Sequence, residues 1–230
     1  AARTVITPTI TLFISGFFAL TVIGPVGIYI GKGLAWMLDV LFGISPIFAG
    51  VVMGLIRPAS ILVGMHHAMT PIALENFATK GYDMLMPMMF IANLSIVGAA
   101  AGCYFKEKSQ KERSIVLSSV LSGILGITEP ALYGVTLQHK KVMMSVVVSS
   151  FIGGLFVGLM KVKAFVAMGP GLAGMAMFVD PDNGKNILWA AVGLVISVVV
   201  SFALSFFLYK DETPAEDETA APAPETAADA

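Results

Sequence analysis

Gly126-Ile127-Thr128-Glu129-Pro130 decides how this chain is read. It lies in the run Ser114 to Gln138, whose only charged residue is Glu129. A carboxylate with no cation near it in sequence, in a segment of membrane-like hydrophobicity, is costly unless it faces a polar cavity or a partner. Gly126 and Pro130 break a helix at the same point. Broken backbone around a single acid therefore reads as a substrate or ion site inside an apolar fold.

Composition agrees with that setting. The 230 residues are 57% hydrophobic and 13% charged, and mean hydropathy is +0.85. A soluble domain holds about 45–50% apolar and about 25% charged residues, so the chain reads as an all-α integral membrane protein embedded in a lipid bilayer. Net charge is −1, but residues 211–230 carry seven acids and no base, which leaves residues 1–210 net basic. No basic patch interleaves with aromatics, so a nucleic-acid partner is not expected. Cys103 is the single cysteine and has no CxxC partner, and the three histidines are not at zinc-site spacing with carboxylates. No metal or cofactor is expected on those grounds.

Five stretches are long and apolar enough to cross a bilayer about 30 Å thick, which takes roughly 20 helical residues. They fall near 10–37, 44–65, 84–105, 142–160 and 187–209, the first with a kink expected at Gly24-Pro25. Residues 66–83 and 115–138 read as two re-entrant hairpins, because irregular backbone at membrane depth must be shielded by protein or water. Residues 161–186 carry turn signals in Met168-Gly169-Pro170-Gly171 and Asp180-Pro181-Asp182-Asn183-Gly184, and suit a short amphipathic helix or a half-buried loop. The Ala, Pro and acid-rich residues 211–230 cannot bury a core and read as a disordered linker or tail.

Lys and Arg in short loops set the orientation. Lys106, Lys108, Lys111 and Arg113, then His139-Lys140-Lys141, then Lys210 fall on one side, expected to be cytoplasmic. Lys161, Lys163 and Lys185 fall on the other, against the rule. The same alternation puts the first residues outside, as in a piece of a longer protein.

Glu129 can accept two hydroxyl hydrogen bonds at once, and bonds to a charged acceptor are stronger than neutral ones. The bland alternative is an acid at a hairpin tip that reaches water. His66 and His67 stand at the end of a span beside Thr70-Pro71. Helix-to-helix hydrogen bonding would explain one such histidine; neighbouring residues point to different faces, so one of the two is expected at a site. Arg57 lies inside the second span, either snorkelling or pairing with a loop carbonyl.

The run Gly126-Ile127-Thr128-Glu129-Pro130-Ala131-Leu132-Tyr133-Gly134-Val135 resembles the signature of enzyme IIC. Enzyme IIC is the membrane permease subunit of the bacterial phosphoenolpyruvate-dependent sugar phosphotransferase system, here of its glucose superfamily. Gly64-Met65-His66-His67, Thr70-Pro71-Ile72 and Gly81-Tyr82-Asp83-Met84-Leu85-Met86-Pro87 look most like its β-glucoside and sucrose branch. The resemblance covers nearly all of residues 5–210.

That resemblance implies a half-molecule. Enzyme IIC divides into a scaffold half that forms the homodimer and a transport half that carries both hairpins and binds the sugar; residues 1–210 match the second. It implies Glu129 as the acid beside the hydroxyl to be phosphorylated, with His66, or alternatively His67, holding the sugar, and Thr128 and Gly126 as neighbours. The implied location is the bacterial inner membrane, multi-pass, with a cytoplasmic C-terminus. The implied partners are enzyme IIB and enzyme IIA domains. Cys103 in Gly102-Cys103-Tyr104-Phe105 resembles no phosphocysteine motif, so the chain alone is not expected to phosphorylate sugar. The expected activity is group translocation. An ion-coupled secondary transporter with Glu129 or His66 as proton carrier shares the broken helices and the midplane acid, and a non-transporting sensor is a third reading.

Overall fold

A computed structural model describes residues 2–62 and 64–210. The acidic tail, 211–230, lies outside the described residues. The described chain is helical: α1 (Ala2–Phe18), α2 (Gly24–Ile44), α3 (Pro46–Leu62), α4 (His66–Lys80), α5 (Leu85–Tyr104), α6 (Gln110–Ile124), a single turn α7 (Glu129–Ala131), α8 (Lys140–Leu159) and α9 (Lys185–Leu208).

The expected spans at 84–105, 142–160 and 187–209 are α5, α8 and α9, displaced by at most two residues. The first is different. Instead of a kinked helix over 10–37, one helical run extends from α1 through a wide turn at Ala19–Ile23 into α2. Pro25 has no N–H to donate to the carbonyl four residues back, and the ladder widens just ahead of it. The apolar window of this run is Ile6–Ile23, none of which is buried. With α5, α8 and α9 it makes four runs among the described residues with the length and hydropathy to cross a membrane. The 17-residue α3 is apolar but shorter.

Residues 66–83 also differ from expectation. Read as a re-entrant hairpin, they form one helix and a returning loop. Pro71 falls early in α4, where it removes only one ladder bond, and the helix runs on to Gly81, whose φ of 75° gives the left-handed C-terminal turn. The expected hairpin at 115–138 is found, and it starts earlier. Ser109 caps α6 by accepting from the Glu112 N–H. The backbone breaks over Leu125–Thr128 and resumes as α7 and a wide turn at Leu132–Thr136.

Core packing centres on α5, which is buried on nearly every side. A helix that is apolar all round belongs at the middle of a bundle, and α5 lies against α3, α6, α8 and α9. The helices pack through small residues. A Cβ at Gly154 of α8 would come within 2.5 Å of the Gly50 carbonyl oxygen of α3, so only glycine permits that approach. Ser145, Ser149, Ser150, Ser197, Ser201 and Ser205 are all buried on α8 and α9, the small-residue contact expected where lipid supplies no hydrophobic drive.

The two charge groups read from sequence end up at opposite ends of the bundle. At one end the Tyr209 hydroxyl donates to Glu107 Oε2 at 2.5 Å, His139 meets the Tyr209 ring at 4.8 Å, and Lys106 lies over Phe206. At the other, Lys163 lies 3.9 Å over the Tyr82 ring. There Asp83 and Ala164 exchange both backbone hydrogen bonds, and the Asp83 carboxylate accepts from Asn76 and from the Met86 N–H. Asn186 bonds the backbone of Lys163 and Phe178. Residues 161–178 are thereby tied down as a half-buried loop with one short helical turn at Leu172–Phe178.

Candidate functional site

The site is assembled from three breaks in the helical ladder. The first is the turn between α3 and α4, which starts α4 at His66. The second is the break between α6 and α7, which puts Gly126, Thr128 and Glu129 at its edge. The third is the tied loop, which delivers Met168, Gly169 and Pro170. Together they enclose a cavity of about 390 Å³ that reaches Arg57, His66, His67, Thr128 and Glu129, within the range of about 300–1,000 Å³ usual for small-molecule sites. Met86, Met89 and Phe90 of α5 form an apolar wall, with Asn93 one turn further along.

Each break has a local cause. Gly126 has φ +107°, and a Cβ there would lie 2.9 Å from the Gly171 backbone nitrogen. No L side chain suits that position, so glycine sets both the turn and the contact with the loop. Thr128 is buried and its carbonyl accepts from Leu132 N–H, starting the next helical turn before Pro130. Tyr133 reaches across from that turn, its hydroxyl shared between the Ile61 and Leu62 carbonyls at 3.2 and 3.3 Å. The Glu129 hairpin is therefore tied to the end of α3, next to His66.

The His66 Nε2 lies 3.7 Å from Glu129 Oε1. The His66 side chain is 13% exposed and that of Glu129 44%, so the acid opens into the cavity while the histidine stands behind it. His67 is exposed, its ring 3.9 Å from that of His66 and tilted by 38°. All five residues expected at the site, Gly126, Thr128, Glu129, His66 and His67, line one cavity. His66, His67 and Glu129 also offer one donor atom each within 4.8 Å of one another, a spacing that a metal ion could bridge and that sequence spacing does not reveal.

Arg57 completes the site. It is 2% exposed. Its Nη1 donates to the His66 carbonyl at 3.4 Å, the loop carbonyl considered from sequence, and lies 3.4 Å from Met69 Sδ. Among the described residues, its buried Nε has no hydrogen-bond partner. Asn93, the wall residues Met86, Met89, Phe90 and Met177, and residues 167–170 are members that sequence reasoning did not assign; Asn93, a lone amide inside the otherwise apolar α5, was the available signal.

An all-α bundle with a polar cavity built from helix breaks is the class of protein that the fold and site define. The family described as "Phosphotransferase system, EIIC" matches residues 3–154, and the chain belongs to that family. With its apolar spans, this makes it a multi-pass membrane protein.

Similar proteins carry related names. The chain is 32% identical over 215 residues to the arbutin-, cellobiose- and salicin-specific EIIBC component of Escherichia coli (strain K12), covering 93% of the chain and 44% of that protein. It is 34% identical to the β-glucoside-specific EIIBCA component of Halalkalibacterium halodurans, over 85% of the chain and 30% of that protein. It is 29% identical to the sucrose-specific EIIBC component of Bacillus subtilis (strain 168), over 92% and 46%. The chain spans less than half the length of each. No solved structure matches it.

Proposed function

We propose that residues 1–210 form the sugar-binding transport domain of a phosphotransferase-system permease, and that the cavity at His66 and Glu129 holds the sugar. The observation that carries this is the convergence of His66 and Glu129, from two separate helix breaks, on one cavity in a chain of the EIIC family. The names of the relatives favour a β-glucoside or sucrose-like substrate.

In this reading the Glu129 carboxylate accepts two sugar hydroxyls, and His66 bonds a third. Thr128 and the backbone at Gly126 add contacts, and the methionine and phenylalanine wall covers the apolar face of the ring. Arg57 offsets the charge of Glu129 when the cavity closes and water leaves. The transport domain moves against a scaffold, the sugar is presented at the cytoplasmic side, and a phosphocysteine on an enzyme IIB domain donates its phosphoryl group. Glu129 positions or deprotonates the acceptor hydroxyl. The relatives are named as EIIBC and EIIBCA components, which supports enzyme IIB and enzyme IIA as partners. The cytoplasmic C-terminus rests on the convergence of the basic loops at one end of the bundle. The homodimer rests on the family resemblance alone.

The test is binding of radiolabelled salicin, cellobiose and sucrose to the purified chain, with phosphorylation measured in the permease that contains it. Glu129→Gln and His66→Ala are each expected to lose both. Unchanged binding and unchanged phosphorylation in both variants would sink the proposal. The family match gives no support to the ion-coupled alternative; uptake that persists without phosphoenolpyruvate and collapses with an uncoupler would revive it.

A further inference from the structure

We propose that a second pocket, where α8 begins and α9 ends, binds the phosphate of an anionic phospholipid headgroup. It has a volume of about 330 Å³, and its lining includes His139, Lys140, Lys141, Leu208, Tyr209 and Lys210. It stands apart from the sugar cavity and shares no residue with it, so the inference does not depend on the sugar reading.

The charge is available for an outside anion. Lys140, Lys141 and Lys210 are exposed, and among the described residues no carboxylate pairs with any of them. The nearby acid, Glu107, is buried and engaged elsewhere: Tyr209 donates to its Oε2 at 2.5 Å and the Ser109 N–H to its Oε1 at 3.1 Å. His139 presents its ring edge-on to Tyr209 at 4.8 Å and gives α8 no side-chain cap. The first N–H groups of this 20-residue helix are therefore left without a side-chain cap at the edge of the same basic pocket. Three ammonium groups and a helix start around one recess suit a phosphate oxygen set.

The surroundings select a lipid over a free anion. α8 and α9 both have the length and hydropathy of membrane spans, and the pocket lies at their shared end, the depth at which headgroup phosphates lie. Apolar surface leads away from it along both helices. Met144, one turn beyond Lys140, is 59% exposed, and Phe207, beside Leu208, is 78% exposed. A phosphate in the pocket would place its acyl chains along these faces, whereas a soluble phosphate ester would leave them uncovered.

The experiment is native mass spectrometry of the full 230-residue chain with phosphatidylglycerol or phosphatidylcholine added in detergent. Wild type is expected to retain phosphatidylglycerol preferentially. The variant Lys140→Gln/Lys141→Gln/Lys210→Gln is expected to retain about a hundredfold less, and Lys210→Gln alone about fivefold less, given roughly 1 kcal/mol per interfacial cation. A charge-matched variant at the opposite end, Lys161→Gln/Lys163→Gln/Lys185→Gln, is expected to retain as much as wild type. Equal retention of the two lipids by wild type, undiminished retention by the first variant, or an equal loss in the charge-matched variant would each overturn the proposal. Displacement of the lipid by inorganic phosphate or glycerol 3-phosphate as readily as by short-chain phosphatidylglycerol would overturn the lipid assignment and leave a soluble-anion pocket.

Discussion

His66 stands 3.7 Å from Glu129, although the two residues start different helices on either side of α5. Behind the pair lies Arg57, bonded to the His66 backbone. The order from wall to cavity is cation, imidazole, carboxylate, and it assigns different tasks to residues that look alike in sequence.

The two histidines are one such case. His66 is the half-buried partner of Glu129, whereas His67 is exposed at the cavity rim. Leaving a sugar hydroxyl unpaired in the closed cavity costs about 1–3 kcal/mol, so His66→Ala is expected to weaken sugar binding by about tenfold. His67→Ala is expected to stay within about threefold, since an exposed contact is readily replaced by water. Equilibrium binding of labelled sugar to each variant measures the difference, and equal losses would contradict the assignment of His66.

Arg57 is expected to act on the site without replacing any of its contacts. Arg57→Met keeps much of the buried volume but removes the cation and the donor to the His66 carbonyl. Sugar affinity is expected to fall about tenfold, in line with the loss of one charge-assisted bond. Arg57→Lys is expected to recover only part of this, because an ammonium lacks the planar fork that spans two acceptors. Full recovery with lysine would show that charge alone matters there.

Gly126 is a backbone requirement. A side chain at φ +107° is strained in itself, and its Cβ would also press on Gly171. Gly126→Ala is expected to cost about 1–3 kcal/mol and to lower the thermal unfolding midpoint in detergent. Gly134 serves as the control, since among the described residues a Cβ there meets nothing within 4 Å and its φ is ordinary. If Gly134→Ala lowers the midpoint as much, the turn is not the sensitive element.

Much of this fold was legible because membrane solvent leaves the backbone few options. Runs such as 84–105 and 187–209 are apolar for the length of a span and became α5 and α9 almost residue for residue. Glu129 was legible for the complementary reason, as an acid with no business in such a run unless it served a cavity. Less legible were features set by packing between distant segments. The centrality of α5 depends on four neighbouring helices. The loop contribution to the cavity depends on the Asp83 backbone and the Asn186 side chain holding residues 161–178, and neither residue announces in sequence which backbone it will grip. Pro25 misled: it widened a turn inside a longer run instead of kinking a single span.

Tyr133 offers a test of whether the two sides of the site are held as one unit. Its hydroxyl is the direct tie from the Glu129 hairpin to the carbonyls of Ile61 and Leu62, at the end of the helix that carries Arg57. Tyr133→Phe removes that tie and leaves the ring in place. The net worth of one such hydrogen bond is about 0.5–1.5 kcal/mol, so global stability is expected to change little. The local effect is expected to be larger. Amide exchange over residues 126–133 should quicken, because the break between α6 and α7 has few ladder bonds of its own. Sugar affinity should fall about two- to threefold as the His66 to Glu129 spacing becomes less well defined, a loss of the size expected when one neutral hydrogen bond fixes orientation. Faster exchange with unchanged affinity would mean that the sugar itself draws the two residues together. Unchanged exchange would mean that the contact of Gly126 with Gly171 is sufficient to hold the hairpin in place.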